Sequence, residues 1–151
     1  MKKKESREII NRLFVDVFND ILQLEENFIH DKLHDRVTIT EVHVMEKIQL
    51  SEKKSMGSVA KQLMITEGTL TTSINRLVQK GYIEKRRDDN DKRVYLLSIT
   101  KSGLEILDIH SKFHEMMVEE VINNPSIGDN LVQSLVHLQD FFKGLKKIYG
   151  K

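Results

Sequence analysis

The sequence predicts a mainly α-helical fold with one small β-hairpin, and three observations lead there. Apolar residues recur at helical spacing over most of the chain, from Ile10 to Ile148. Residues 66–81 carry a capping threonine in front, an apolar face, and a glycine at the end. Two short runs, residues 82–87 and 93–99, then flank a polar loop at 88–92, with Asp91-Lys92-Arg93 at the turn. A helix followed at once by a basic hairpin is the outline of a winged helix-turn-helix. Double-stranded DNA is therefore the first partner to test.

The elements follow in order. Residues 4–34 read as one long helix, because Ile10, Phe14, Val17, Ile21, Leu24 and Phe28 recur at alternating steps of four and three. Ile9, Leu13, Phe18 and Leu22 widen that stripe. Residues 40–50 carry Val42, Met45, Ile48 and Leu50 on a second helix. Ser55 can cap a third, holding Val59, Ala60 and Leu63, and Met64-Ile65 make a tight turn. Thr66 caps the fourth helix, with Glu67 in its first turn and Gly81 as its stop. After the hairpin, Thr100 caps a helix running to about Asn123. Pro125 separates it from a last helix, striped by Leu131, Leu135, Leu138, Phe142, Leu145 and Ile148, with Ser126 as its N-cap and Asp129 three residues on. The whole, 1–151, reads as a single unit: a DNA-binding domain at 38–100, between dimerisation helices at 4–34 and 101–149. The terminal stripes present more apolar surface than the small centre can cover. At ~25 cal/mol per Å² of apolar area buried, pairing with a second copy is the expected remedy, which predicts an intertwined homodimer.

Composition narrows the function. The chain has no cysteine, which excludes disulfides, thiolate metal sites and thiol redox sensing. No run reaches the ~18 apolar residues of a membrane span, and the basic start MKKKES lacks an apolar stretch behind it, so a cytoplasmic protein is expected. Residues 53–101 hold 11 Lys and Arg against 5 Asp and Glu, a net of +6, whereas the remainder holds 13 against 18, a net of −5. A basic centre with acidic flanks suits a polyanion reader. There is no glycine-rich phosphate loop, no H-E-x-x-H and no nucleophile with an assignable base, so an enzyme is not expected.

On a helical wheel Leu70, Ile74, Leu77 and Val78 fall on one side, as core. Gly68, Thr71, Thr72, Asn75, Arg76 and Gln79 occupy much of the other, a surface suited to a major groove. Threonine can meet phosphate or a thymine methyl, asparagine can read adenine, and arginine can fork onto guanine. Gly68 permits close approach of the backbone. In the hairpin Arg86, Arg87, Lys92 and Arg93 supply charge, and Arg93 is placed to enter a narrow minor groove. Asp91 is expected to hold an arginine in position, and Asp88 and Asp89 to be solvated loop residues.

Residues 66–81, the Asp91-Lys92-Arg93 turn and Ser98-Ile99-Thr100-Lys101-Ser102-Gly103 resemble the MarR family of bacterial transcription regulators over nearly the whole chain. The resemblance implies a homodimer on a palindromic operator, with Thr69, Thr71, Thr72, Asn75 and Arg76 on the reading helix and Arg93 on the wing tip. By residue type and position, Thr66, Gly68, Arg87 and Lys92 join them as DNA contacts, and Asp91 as wing support. The run 62–73, QLMITEGTLTTS, together with Lys80-Gly81-Tyr82-Ile83-Glu84 and residues 113–118, FHEMMV, is most similar to the FabT-type subgroup, repressors of fatty-acid synthesis. That similarity implies acyl-acyl carrier protein as corepressor, its acyl chain in an apolar tunnel lined from the first, second and fifth helices, and no obligatory cofactor.

Two alternatives stay open. His110 and His114 stand four apart on one helix face, and the spacing Glu25, His43, His110, His114 also resembles that of zinc-responsive members that repress metal-uptake genes. A winged helix that binds only protein is the alternative of another class, but it would have little use for Arg93 or for the basic centre.

Overall fold

The computed structural model describes residues 3–127 and 130–150. Among them are six α-helices and one two-stranded sheet, in the order α1 (Lys3–Leu33), a 3-10 turn (His34–Arg36), α2 (Ile39–Leu50), α3 (Met56–Leu63), α4 (Glu67–Gln79), β1 (Ile83–Arg87), β2 (Tyr95–Ile99), α5 (Lys101–Ile122) and α6 (Asn130–Tyr149). No helix among the described residues is long and apolar enough to cross a membrane.

Local chemistry explains most boundaries. α2 starts from a capping box that the periodicity did not show. The Thr38 hydroxyl accepts from the Glu41 amide at 3.2 Å, and the Glu41 carboxylate accepts from the Thr38 amide at 2.9 Å. Ser55 and Thr66 cap α3 and α4 as the sequence suggested, accepting from Ser58 and Thr69. Both helices end alike. At the end of α4, Gly81 takes φ +77°, its amide donates to the Val78 carbonyl and the Tyr82 amide donates to Leu77. At the end of α3 the same pair of bonds runs from Met64 to Lys61 and from Ile65 to Ala60, with Met64 at φ +56°. These are two Schellman stops, one on glycine and one on methionine.

The chain divides into two compact units, residues 1–113 and 114–151. In the first, the core gathers Ile29 and Leu33 of α1, Val42, Met45 and Ile48 of α2, Val59 of α3, Leu70, Ile74 and Leu77 of α4, Ile83 and Leu97 of the hairpin, and Ile106 of α5. Glu41 has a second role there. Besides its capping bonds it takes two hydrogen bonds from the Lys80 ammonium, at 2.7 and 2.9 Å, tying the front of α2 to the end of α4. Gly103 is fixed by close approach: a Cβ there would lie 2.4 Å from the Tyr82 carbonyl oxygen. The Thr100 hydroxyl donates to the Gly81 carbonyl at 2.7 Å and accepts from the Gly103 amide at 3.2 Å, joining the stop of α4 to the start of α5.

Several expectations need correction. Val78 is 39% exposed and lies outside the core. Tyr82 is buried ahead of the strand, and Arg93 lies in the turn, because the Val94 amide bonds back to the Asp91 carbonyl and extends the loop to residues 88–94. Ser126 sits in the turn before α6, its amide bonded to Asn124 Oδ1, so it is not the cap of a helix that starts at Asn130. Asp129, its expected partner, lies outside the described residues. In the second unit no residue of α6 is buried, and in the first the stripe of α1 is open at Ile10, Phe14, Val17 and Leu24.

Candidate nucleic-acid interface

α4 turns Leu70, Ile74 and Leu77 inward and leaves Gly68, Thr69, Thr72, Asn75 and Arg76 exposed, with Thr71 half-buried. Thr66 is committed to capping, and its hydroxyl lies 2.9 Å from that of Thr69. The Thr71 hydroxyl donates back to the Glu67 carbonyl at 2.7 Å, and that of Thr72 to Gly68 at 3.5 Å. Their protons are thus used within the helix, which leaves oxygen lone pairs and methyl groups to meet a ligand. An alanine Cβ at position 68 would meet only the Thr66 hydroxyl, at 3.8 Å, so packing within the chain does not require Gly68.

The wing follows from antiparallel pairing of Ile83 with Ile99 through Arg87 with Tyr95. Its tip is built around Asp91. That carboxylate accepts from the Arg93 amide at 3.1 Å and from the Arg93 guanidinium at 3.1 and 3.2 Å, a forked pair that holds an otherwise well-exposed arginine at the turn. The bonds from Arg93 keep the Asp91 carboxyl below its ordinary range, and the charge of Lys53 adds to the effect. Arg87 donates to the Lys92 carbonyl at 3.2 Å. Asp88 and Asp89 are not simply solvated. Asp88 accepts from the Asn90 amide at 2.8 Å, and Asp89 pairs with Lys92 at 3.3 Å and faces Arg86 at 3.8 Å. Local cations therefore offset Asp89, and a backbone amide holds Asp88. Tyr95 carries Lys85 over its ring at 4.4 Å and Arg87 at 5.2 Å, which gathers cations on the sheet face.

Sequence reasoning missed one part of this surface. Leu97 donates its amide to the Lys54 carbonyl at 2.8 Å, and Ser55 forms an isolated antiparallel bridge with Leu96, so the segment before α3 is pinned against the wing. This carries Lys53 to a cleft of about 360 Å³ that Thr71, Lys85, Arg93 and Tyr95 also line. The pairing spans some forty residues, and the only local trace of it is the Lys53-Lys54 pair inside the basic window.

A separate polar cluster lies within the first unit. Glu25 and His110 are buried and His43 is half-buried, and both imidazole Nε2 atoms reach the same oxygen, Glu25 Oε1, His43 at 3.1 Å. Burial alone would raise the Glu25 carboxyl. The hydrogen bonds and charge of His110 and His43 outweigh it, and the net displacement is downward. An ionised Glu25 makes both Nε2 atoms donors and leaves the Nδ1 atoms for other partners. His110 Nδ1 faces Glu46 at 3.8 Å. The candidate ligand atoms of Glu25, His43 and His110 lie within 4.8 Å of one another. Three of the four residues named for a metal thus converge here. His114, the fourth, lies one turn along α5, in the second unit.

Comparison with known proteins agrees with this architecture. Residues 37–95 match the model of the MarR family. The chain is 31% identical to the HTH-type transcriptional regulator SarZ of Staphylococcus haemolyticus, over 71% of its own length and 72% of that protein's. The structure of Streptococcus pneumoniae FabT in complex with DNA superposes with a TM-score of 0.84 at 34% identity, covering 93% of this chain and 99% of that one. Staphylococcus aureus MarR in complex with salicylate and kanamycin shares the fold, with a TM-score of 0.80 at 16% identity. A winged unit of this geometry, related across most of its length to such regulators, identifies the chain as a member of the MarR family of transcriptional regulators and not as an enzyme.

Proposed function

We propose that the protein is a repressor that binds a palindromic operator as a homodimer, controls fatty-acid biosynthesis genes, and takes acyl-acyl carrier protein as corepressor. The observation that carries the DNA reading is the alignment of an exposed polar α4 face with an arginine-tipped wing, in a chain 34% identical to a FabT protein seen in complex with DNA. The two α4 helices of a dimer would enter successive major grooves one helical turn apart, about 10 bp between centres, with the wings in the flanking minor grooves. No metal or cofactor is required for that binding. The acyl chain is assigned to the space between α1, α2 and α5. Phe28 and Phe113, 5.4 Å apart between ring centres, occupy part of that space, and admitting a chain requires these rings to separate.

One observation favours a second reading. Glu25, His43 and His110 form a three-point donor set suited to zinc, with water completing a tetrahedron. In that case the regulated genes would serve metal uptake. Genome-wide recovery of bound DNA fragments, repeated with long-chain acyl carrier protein and with zinc, separates the readings. Enrichment upstream of lipid-synthesis genes, strengthened by the acyl protein, supports the first. Zinc-dependent enrichment at metal transporters supports the second. No preference over random competitor DNA under any condition overturns both.

A further inference from the structure

We propose that the cleft between α4 and the wing seats the sugar–phosphate strand that separates the two grooves, and that Lys53 is the phosphate-contacting residue on its wall. The inference rests on the DNA-binding reading above and adds a contact that the reading does not contain. A duplex whose major groove holds α4 and whose neighbouring minor groove holds the wing must pass one backbone strand between them. The space between them is this cleft, with Thr71 on the α4 side and Lys85 and Arg93 on the wing side.

Lys53 is suited to the role by its backbone as much as by its charge. Its carbonyl accepts from the Ser51 hydroxyl at 2.9 Å, and that hydroxyl is itself fixed by Gln62 of α3 at 3.0 Å. The carbonyl of the next residue accepts from Leu97 at 2.8 Å, and Ser55 then caps α3. Anchored on both sides, the segment keeps its backbone entropy cost within folding, so a phosphate bond from Lys53 orders only one side chain. The exposed Lys53 side chain lines the same cleft as Arg93 and Val94 of the wing tip. The cleft also holds one acidic residue, Glu67, whose carboxylate rests against Gly57, where an added Cβ would lie 2.9 Å from Oε1; Lys53, Lys85 and Arg93 outnumber it in the lining.

The test is the salt dependence of binding by the full-length protein, using an operator fragment recovered as above and a random duplex of equal length. Lys53→Ala should weaken both by about five- to tenfold per protomer near 100 mM salt. It should also reduce the slope of log K against log salt by about one unit per protomer. Lys53→Arg should retain the slope, and Lys54→Ala, one residue along and outside the cleft lining, should bind as wild type. An unchanged slope in Lys53→Ala, with wild-type protein binding normally, overturns this inference alone. Equal losses in Lys53→Ala and Lys54→Ala also overturn it, since only general charge would then be at work. Failure of wild-type protein to prefer any fragment overturns the DNA reading itself.

Discussion

Arg93 illustrates how one side chain is prepared before a ligand arrives. Its forked bond to Asp91 holds the guanidinium at the wing tip, so less rotamer entropy is lost on entering a minor groove. Arg93→Ala is expected to weaken binding with little dependence on sequence and to lower the salt slope by about one unit per protomer, measured by titration at several salt concentrations. Wild-type affinity at every concentration would remove the wing from the interface. Asn75→Ala and Arg76→Ala should instead relax preference at individual base pairs, at ~1–3 kcal/mol each for a base-edge contact, read from a panel of single-base operator variants. Glu25 makes a different prediction. Its carboxyl is depressed in the folded protein, so its contribution is fully present above the unfolded-state value and fades as pH falls through the folded one. Glu25→Gln should therefore melt below wild type at neutral pH, and the gap should narrow on acidification below about pH 5. A gap of constant size across pH 7 to 4 would show that the ionised form does not stabilise the fold.

At the level of elements, the two Schellman stops differ by one residue type, and that difference is testable. Met64 holds a left-handed backbone that costs an ordinary residue about 1 kcal/mol, and at 68% exposure it loses little packing if removed. Met64→Gly should raise the urea midpoint by an amount corresponding to about 0.5–1 kcal/mol at unchanged slope. A lower midpoint would show that the methionine side chain matters more than the strain. These stops also mark where the sequence was readable. Ser55, Thr66 and Gly81 act on amides and carbonyls within a few residues, so their roles follow from position alone, as does the cap that Thr100 gives Gly103, though not its bond to Gly81, 19 residues back. Glu41 was opaque because its second partner, Lys80, is 39 residues away, and the bridge from Lys54 and Ser55 to the wing was opaque for the same reason. Val78 misled because a helical wheel assigns a side but not how far the neighbouring elements extend over it. The convergence of Glu25, His43 and His110 from α1, α2 and α5 came from family resemblance, since no local spacing brings residues 85 apart together.

For the molecule as a whole, the uncovered apolar residues call for a partner surface. Phe14 and Phe18 on α1 of the first unit, and Phe141, Phe142 and Ile148 on α6 of the second, remain 43–67% exposed in the single chain, each a set of large apolar side chains open to a partner. Sedimentation should find a dimer at micromolar concentration, and Phe14→Glu or Phe142→Glu should shift it toward monomer and abolish tight operator binding. A wild-type monomer that still binds the operator would refute the dimeric arrangement. Symmetry gives the Thr100 hook a further importance. One hydroxyl fastens the last turn of α4 to the first of α5, and Gly103 lets the two backbones touch. A displacement of the first turn of α5 would therefore carry the end of α4 with it. Under the dimeric repressor reading proposed above, an effector that moved α5 would alter the reach between the twin α4 helices, changing the grip on half-site spacing while leaving base preferences intact.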